Sequence, residues 1–136
     1  MDIDEALEFV RHHHRAVCVT RRPDGLPATS PVLAGVNGEG HVIVSTRETA
    51  YKVSHVRHEP HVALCVFNNA FFGDWVQVEG EAEVVPLPEA MDGLIEYYRG
   101  ISGDHPDWEE YRAAMVKERR VLLRIDVSRV GPQLTG

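Results

Sequence analysis

The sequence predicts a mainly β fold of α+β type, an antiparallel barrel of six strands with peripheral helices packed outside it. Three observations lead there. Six runs have strand character, at residues 15–20, 26–36, 41–46, 61–67, 75–85 and 119–130. Turn signals stand between several of them. Helix-type runs lie at the N-terminus and between strands, without the sustained strand–helix alternation of a doubly wound parallel sheet. At 136 residues the chain is most simply one domain, spanning 1–136, and long enough to bury a core without staples. No internal repeat or linker divides it.

Residues 2–14 read as a first helix. Asp2 and Glu5 have capping-box spacing, and Ile3, Leu7 and Val10 share a face. Residues 15–20 form a short strand that ends in the turn Arg22-Pro23-Asp24-Gly25. The run 26–36 is extended but carries Pro27 and Pro31, so it has an unpaired or edge side at both points. Asn37-Gly38-Glu39-Gly40 is a hairpin turn into the third strand. A helix over about 50–59 places Val53 and Val56 on one side and stops before Pro60. After the strand 61–67 comes a loop, 68–74, with Phe71 and Phe72.

The run 75–85 is the clearest strand. Val76, Val78, Ala82 and Val84 take one face, and Trp75, Gln77, Glu79, Glu81 and Glu83 the other. Gly80 in its middle signals a bulge, a sharp bend or close approach of another backbone. Residues 88–99 are amphipathic, with Met91, Leu94, Ile95 and Tyr98 as the apolar face. A helix over 107–118 carries Trp108, Tyr111 and Met115 as its stripe. The last strand covers 119–130, and the tail 131–136 reads as frayed.

Composition narrows the function. The formal charge of −7 argues against a nucleic-acid partner, whose affinity rests on Lys and Arg. No apolar run approaches the roughly 20 residues of a membrane span. The start M-D-I-D-E is acidic and has no apolar leader segment, so the cytoplasm is the expected compartment. Cys18 and Cys65 each lie in an apolar β-like run, as reduced thiols acting as small hydrophobes.

No H-E-x-x-H, G-x-S-x-G or G-x-G-x-x-G occurs. His12, His13 and His14 are consecutive on a helix and cannot converge on one metal. His55, His58 and His61 are spaced by three, but Pro60 separates the last and no carboxylate has ligand spacing, so no metal site is expected. Asp104-His105-Pro106-Asp107 is a turn into a helix. Glu79, Glu81 and Glu83 line a solvated sheet face. No side chain stands out as a catalyst, which points to a borrowed cofactor.

The stretch that suits an anion is 45–60. Ser45, Thr46 and Arg47 end a strand, Thr49 is placed as a helix cap, and Lys52 follows in the first turn. A helix N-terminus offers unpaired N–H groups and a positive dipole end. Arg47 and Lys52 each add a charge-assisted hydrogen bond of roughly 1.5–3 kcal/mol. A plain solvated helix start with surface charges has the same composition, since no glycine-rich loop is present.

Three stretches carry a family resemblance. Arg57-His58-Glu59-Pro60-His61-Val62-Ala63-Leu64 resembles the R-x-x-P-x-v-x-l element of the pyridoxamine 5′-phosphate oxidase-like split-barrel flavoproteins. W-V-Q-V-E-G-E-A-E-V, residues 75–84, resembles that superfamily's v-x-G-x-a-x-v strand. Residues 98–125, Y-R-G-I-S-G-D-H-P-D-W-E-E-Y-R-A-A-M-V followed at 119 by R-R-V-L-L-R-I, look like its F420-dependent oxidoreductase branch.

The resemblance implies a split β-barrel of the FMN-binding kind and a homodimer with two cofactor sites at its interface. It implies that Ser45, Thr46, Arg47 and Lys52 hold the cofactor phosphate. The ring lies against Ser30, Pro31 and Val32, and Trp75 and Gln77 are reached from the partner chain. His55 stands where family members often carry Asn or Arg. The implied activity is hydride transfer from reduced coenzyme F420 to a small organic substrate. FMN in the same fold is the alternative cofactor, and a flavin- or haem-binding carrier without turnover is the alternative class. The ending V-G-P-Q-L-T-G lacks the Arg-rich substrate motif of pyridoxamine phosphate oxidases proper, which argues against vitamin B6 oxidation.

Overall fold

The computed structural model describes residues 1–132. In chain order its elements are α1 (Ile3–His12), β1 (Arg15–Arg21), β2 (Pro27–Leu33), β3 (Gly35–Val36), β4 (Val42–Arg47), α2 (Tyr51–His58), β5 (His61–Phe67), β6 (Trp75–Val85), α3 (Met91–Ser102), α4 (Trp108–Lys117) and β7 (Arg120–Gly131). The strands form one antiparallel sheet in the order β2-β1-β5-β6-β7-β4-β3. The mainly β barrel with outer helices therefore stands, but with seven strands rather than six.

The seventh strand comes from a break in the extended run after Leu26. Its first part, β2, pairs with β1 over seven rungs from Arg21↔Pro27 to Arg15↔Leu33. Its last part, β3, pairs with β4 through Gly35↔Ile43 and Val36↔Val42. The two outermost strands of the sheet are thus neighbours in sequence, and the sheet curls until its edges face each other. Ala34 is the corner. Its N–H donates to the His14 carbonyl (2.7 Å), and its own carbonyl accepts from His14 Nδ1 (2.8 Å). A carbonyl only accepts, so His14 carries its proton on Nδ1.

His14 can do this because α1 stops earlier than expected. The capping box forms as its spacing required, Glu5 N–H donating to Asp2 Oδ1 at 2.8 Å. At the other end His13 is already extended (φ −135°). Its apolar face, Ala6, Leu7 and Val10, enters the main core with Ala16, Cys18, Val44, Val62, Leu64, Val66, Val76, Val78 and Leu123. Each fully buried Val or Leu there contributes about 1.5–3 kcal/mol.

β4 has two interior faces. Val42 and Val44 join the main core, while Ile43 joins a second one with Leu94, Ile95, Tyr111, Met115 and Leu122, under α3 and α4. α3 starts at Met91, later than expected, and runs on to Ser102 before Gly103 (φ 80°) ends it. Asp107 caps α4, accepting from the N–H groups of Glu109 and Glu110. β7 reaches Gly131, so the expected frayed tail begins inside a strand, and its remainder, 133–136, lies outside the described residues.

β6 keeps the alternation the sequence requires, with Val76, Val78, Gly80 and Ala82 buried. At Gly80 two of the expected features coincide. The register against β7 shifts between Glu79 and Gly80, and a Cβ on Gly80 would lie 1.9 Å from the Asp126 carbonyl oxygen. Backbone cannot yield as a flexible side chain can. Gly80→Ala should therefore destabilise the protein by about 3 kcal/mol, read as a lower denaturant midpoint at unchanged slope.

Cys18 sits inside the barrel at 1 % exposure, and burial pushes its thiol up to about 11 against a weaker opposing pull from the Lys52 charge. The folded state keeps that proton while the unfolded chain releases it near pH 8.5, so stability falls as pH rises toward 11. Between pH 8.5 and 11 the wild type should lose roughly 2–3 kcal/mol more unfolding free energy than Cys18→Ala, measured by urea titration at each pH.

Candidate functional site

The site begins where the β3–β4 ladder stops. That ladder pairs Gly35 with Ile43. Continued past Ala34 and Val44, the same register would set Leu33 against Ser45, then Val32 against Thr46 and Pro31 against Arg47. None of these rungs forms, because the chain leaves β4 at Ala34 and follows β1. A seam opens between β2 and β4.

Hydrogen-bond alternation says which groups face it. Ala34 bonds to His14, and bonded pairs recur at every second residue, so Val32, Ser30 and Ala28 turn their backbone toward β1. Leu33, Pro31 and Thr29 turn theirs into the seam. The Asn37 N–H donates to the His41 carbonyl at 3.0 Å, which by the same count aims the backbone of Ser45 and Arg47 at the seam from the other side. Pro31 has no N–H to offer β4. Its place in an open-edged strand matches the edge side expected at both prolines.

The seam's inner lip holds Ser30 and Val32, opposite Cys18 and Ala16 of β1, together with buried Thr46. α2 stands over it. Val53 and Val56 bury the helix against the barrel. Lys52 lies near enough to Cys18 for its charge to be felt there. His55 Nδ1 is 2.9 Å from the hydroxyl of Thr20, a side chain with 2 % exposure. The helix cap is Ala50, not Thr49, and it has no side-chain hydrogen bond. No acidic residue occupies the first turn. The cap thus supplies no side-chain acceptor to the N-terminal N–H groups, Lys52 lies in the first turn, and Glu48, just before the cap, is paired with Arg57.

Ser45, Thr46 and Arg47 do not act as one group. Successive strand residues face opposite sides. Thr46 points inward with Val42 and Val44, while Ser45 and Arg47 point out with Ile43. Ser45 lines a cavity of about 370 Å³ with Tyr97, Tyr98, His105, Glu118 and Arg120. Arg47 pairs with Glu118 at 3.5 Å, and Glu118 is held more closely by Arg120 at 2.8 Å. Those two guanidiniums, Arg120 first, hold the Glu118 carboxyl below its ordinary range. The strand thus divides the residues expected around one phosphate, with Thr46 on the inner face and Ser45 and Arg47 on the outer, while Lys52 lies in the first turn of α2.

Trp75 and Gln77 lie elsewhere in the same chain. Pro31, Val17, Cys65 and Gln77 form one row across four strands, which sets Gln77 about 14 Å from the seam. Both residues are exposed on the outer sheet face, in a shallow pocket with Glu79 and Arg129. Glu79 is tied to His61 at 3.0 Å and to Arg129 at 3.6 Å, so it is not a plain solvated carboxylate. Among the described residues no group of three or more His, Cys, Asp or Glu could hold a metal. No helix there is long and apolar enough to cross a membrane. A concavity of about 860 Å³ lies away from the seam between α1, α3 and α4, and it mixes Arg11, Arg99 and Arg112 with Asp92 and Glu96.

One residue at the seam was invisible in the sequence. The hydroxyl of Tyr97 donates to the Leu33 carbonyl at 2.9 Å. Ser45 lines the same cavity as that phenol. Tyr97 adjoins Tyr98 on an amphipathic helix, and no motif marks it.

Comparison with known proteins agrees with this architecture. Conserved hypothetical protein Rv2991 from Mycobacterium tuberculosis superposes with a TM-score of 0.78 at 22 % identity, over 100 % of this chain and 92 % of that one. A structure described as F420 Reductase gives 0.68 at 20 %, over 91 % and 94 %. A heme binding protein from Mycobacterium smegmatis gives 0.68 at 17 %, over 92 % of this chain and 52 % of that one. At these identities the likeness is one of fold. Residues 3–133 match the family described as Pyridoxamine 5'-phosphate oxidase, and on that match the chain belongs to this family of split-barrel proteins.

Proposed function

We propose that this protein is an oxidoreductase that holds coenzyme F420 in the β2–β4 seam and reduces a small organic substrate. The observation that carries the reading is the seam itself, an unpaired strand edge lying beside a helix N-terminus with no side-chain cap. Its donor set fits the cofactor. The pyrimidine edge of a flavin or deazaflavin alternates donors and acceptors, as a free strand edge does. A phosphate suits the α2 N-terminus and Lys52. Ser30, Pro31 and Val32 would flank the ring, with Thr46 and His55 on the α2 side. When bound, F420 supplies a hydride at a ring carbon. The residues of this chain hold and orient it and exclude water.

A second copy of the chain completes the proposed site. The outer face of β1 and β5 is apolar as well as the inner one, with Val17, Val19, Ala63 and Cys65 half-buried between exposed Leu33 and Trp75. A sheet apolar on both faces is normally covered on both. Covering it with a partner brings that partner's Trp75 and Gln77 toward the site. Cys18 and Cys65, both free thiols, suit a reducing cytoplasm.

Purified protein titrated with F420 should bind it tightly, followed by cofactor fluorescence. FMN bound instead would keep the fold-level reading and overturn the choice of cofactor. Lys52→Ala should weaken binding by about 10- to 100-fold, equivalent to roughly 1.5–3 kcal/mol. Unchanged affinity would remove Lys52 from the site. Sedimentation should give a dimer, and Val17→Asp, which places a charge on the outer face, should give a folded monomer. A wild type that sediments as a monomer would overturn the shared site.

A further inference from the structure

The cavity of about 860 Å³ between α1, α3 and α4 shares no lining residue with the seam. Its walls come from four parts of the chain. Arg11 lies in the last turn of α1, and Asp92, Glu96 and Arg99 run along α3. Trp108 and Arg112 stand one turn apart on a shared face of α4, and the turn after β3 brings Gly38.

Most of these charges are already held. Arg11 pairs with Glu8 at 3.1 Å and Arg99 with Asp104 at 2.9 Å, both carboxylates lying outside the lining. Each guanidinium is gripped through a single nitrogen, so the other N–H donors of its fork are unused. Arg99 also lies over the Trp108 ring, its guanidinium carbon 4.8 Å from the ring centre. Glu96 accepts from the Gly38 N–H at 2.6 Å. Two charges are left over. Among the described residues the exposed side chains of Asp92 and Arg112 have no ion-pair partner, and they do not pair with each other.

The lining also sorts by sign. Asp92 and Arg99 are seven residues apart on α3, about 10.5 Å along its axis. Asp92 and Glu96 make an acidic end. Arg99 and Arg112, on either side of Trp108, make a basic one, and the apolar Ile95 lies between the two ends on α3. A simple anion would meet the carboxylates as well as the guanidiniums, and a simple cation the reverse. A molecule carrying both signs gives each unpartnered side chain a charge-assisted hydrogen bond. Arg11, Arg99 and Glu96 are held before it arrives, so little side-chain freedom is lost on binding.

We infer that this cavity binds a small elongated zwitterion, its ammonium at Asp92 and Glu96, its carboxylate at Arg99 and Arg112, and its apolar middle over Ile95. An ω-amino acid and a short peptide share this chemistry. The inference is independent of the cofactor reading.

6-Aminohexanoate, with its charges at opposite ends of a methylene chain, is the first probe, and triglycine the second. Titrated calorimetrically into the full chain, 6-aminohexanoate should bind at millimolar concentration or below. Hexanoate and hexylamine should each bind at least about tenfold more weakly. Triglycine binding more tightly than 6-aminohexanoate assigns the site to a peptide, and more weakly to an ω-amino acid. Asp92→Asn and Arg112→Gln, both exposed and outside the two cores, should each weaken the better probe about tenfold with an unchanged thermal midpoint. The bound probe should shift the Trp108 indole N–H resonance. Hexanoate or hexylamine binding as well as 6-aminohexanoate would overturn the zwitterion. No binding of either probe at millimolar concentration, or unchanged affinity in both variants, would overturn the site.

Discussion

The architecture depends on how ten residues satisfy their backbone hydrogen bonds. Between Pro27 and Val36 the chain has two sheet edges to serve, β1 and β4, and it can pair with only one at a time. It serves β1 until Leu33 and β4 from Gly35. The change of partner at Ala34 is fixed by reciprocal bonds to His14. A buried, unpaired N–H or C=O costs about as much as a lost hydrogen bond, and a barrel normally avoids that by closing. Here closure stops after two rungs, and the groups left over form an open strand edge. The same event makes the barrel split and leaves open the strand edge on which the proposed site rests.

Much of the fold was legible because its signals are local. The capping box of Asp2 and Glu5, the Pro-Asp-Gly turn, the stop before Pro60 and the strict alternation of residues 75–84 all act within a few residues. The corner at Ala34 was not legible. Gly35 signals a bend or a close approach, but nothing in Leu33-Ala34-Gly35 says that the strand changes partner there, and that change depends on His14, twenty residues away. Gly80 stood between these cases. Its presence in a strand announced a close approach, but only the fold shows that Asp126 is what approaches.

The site was half legible for a related reason. Ser45, Thr46 and Arg47 look like one cluster when read as neighbours, and the sequence places a phosphate among them. A strand does not let neighbours act together. Its two-residue period sends Thr46 to the inner lip and gives Arg47 to Glu118. The prolines were the better guide, since Pro31 has a backbone reason to be where it is. Tyr97 could not have been found from spacing. It belongs to α3, and its partner Leu33 is 64 positions away in the chain.

β6 and β7 are adjacent antiparallel strands, a pairing that a two-residue turn would normally connect. Here the link carries the whole α3–α4 pair. The sheet does not need that detour for its own closure, yet the detour delivers the phenol to the far edge of the barrel. The connection is thus a cassette: another helical insert in its place would change what meets the Leu33 carbonyl while the rungs of the sheet stayed as they are. A fold arranged this way can diversify its chemistry by editing one excursion of the chain, with no need to rebuild the scaffold.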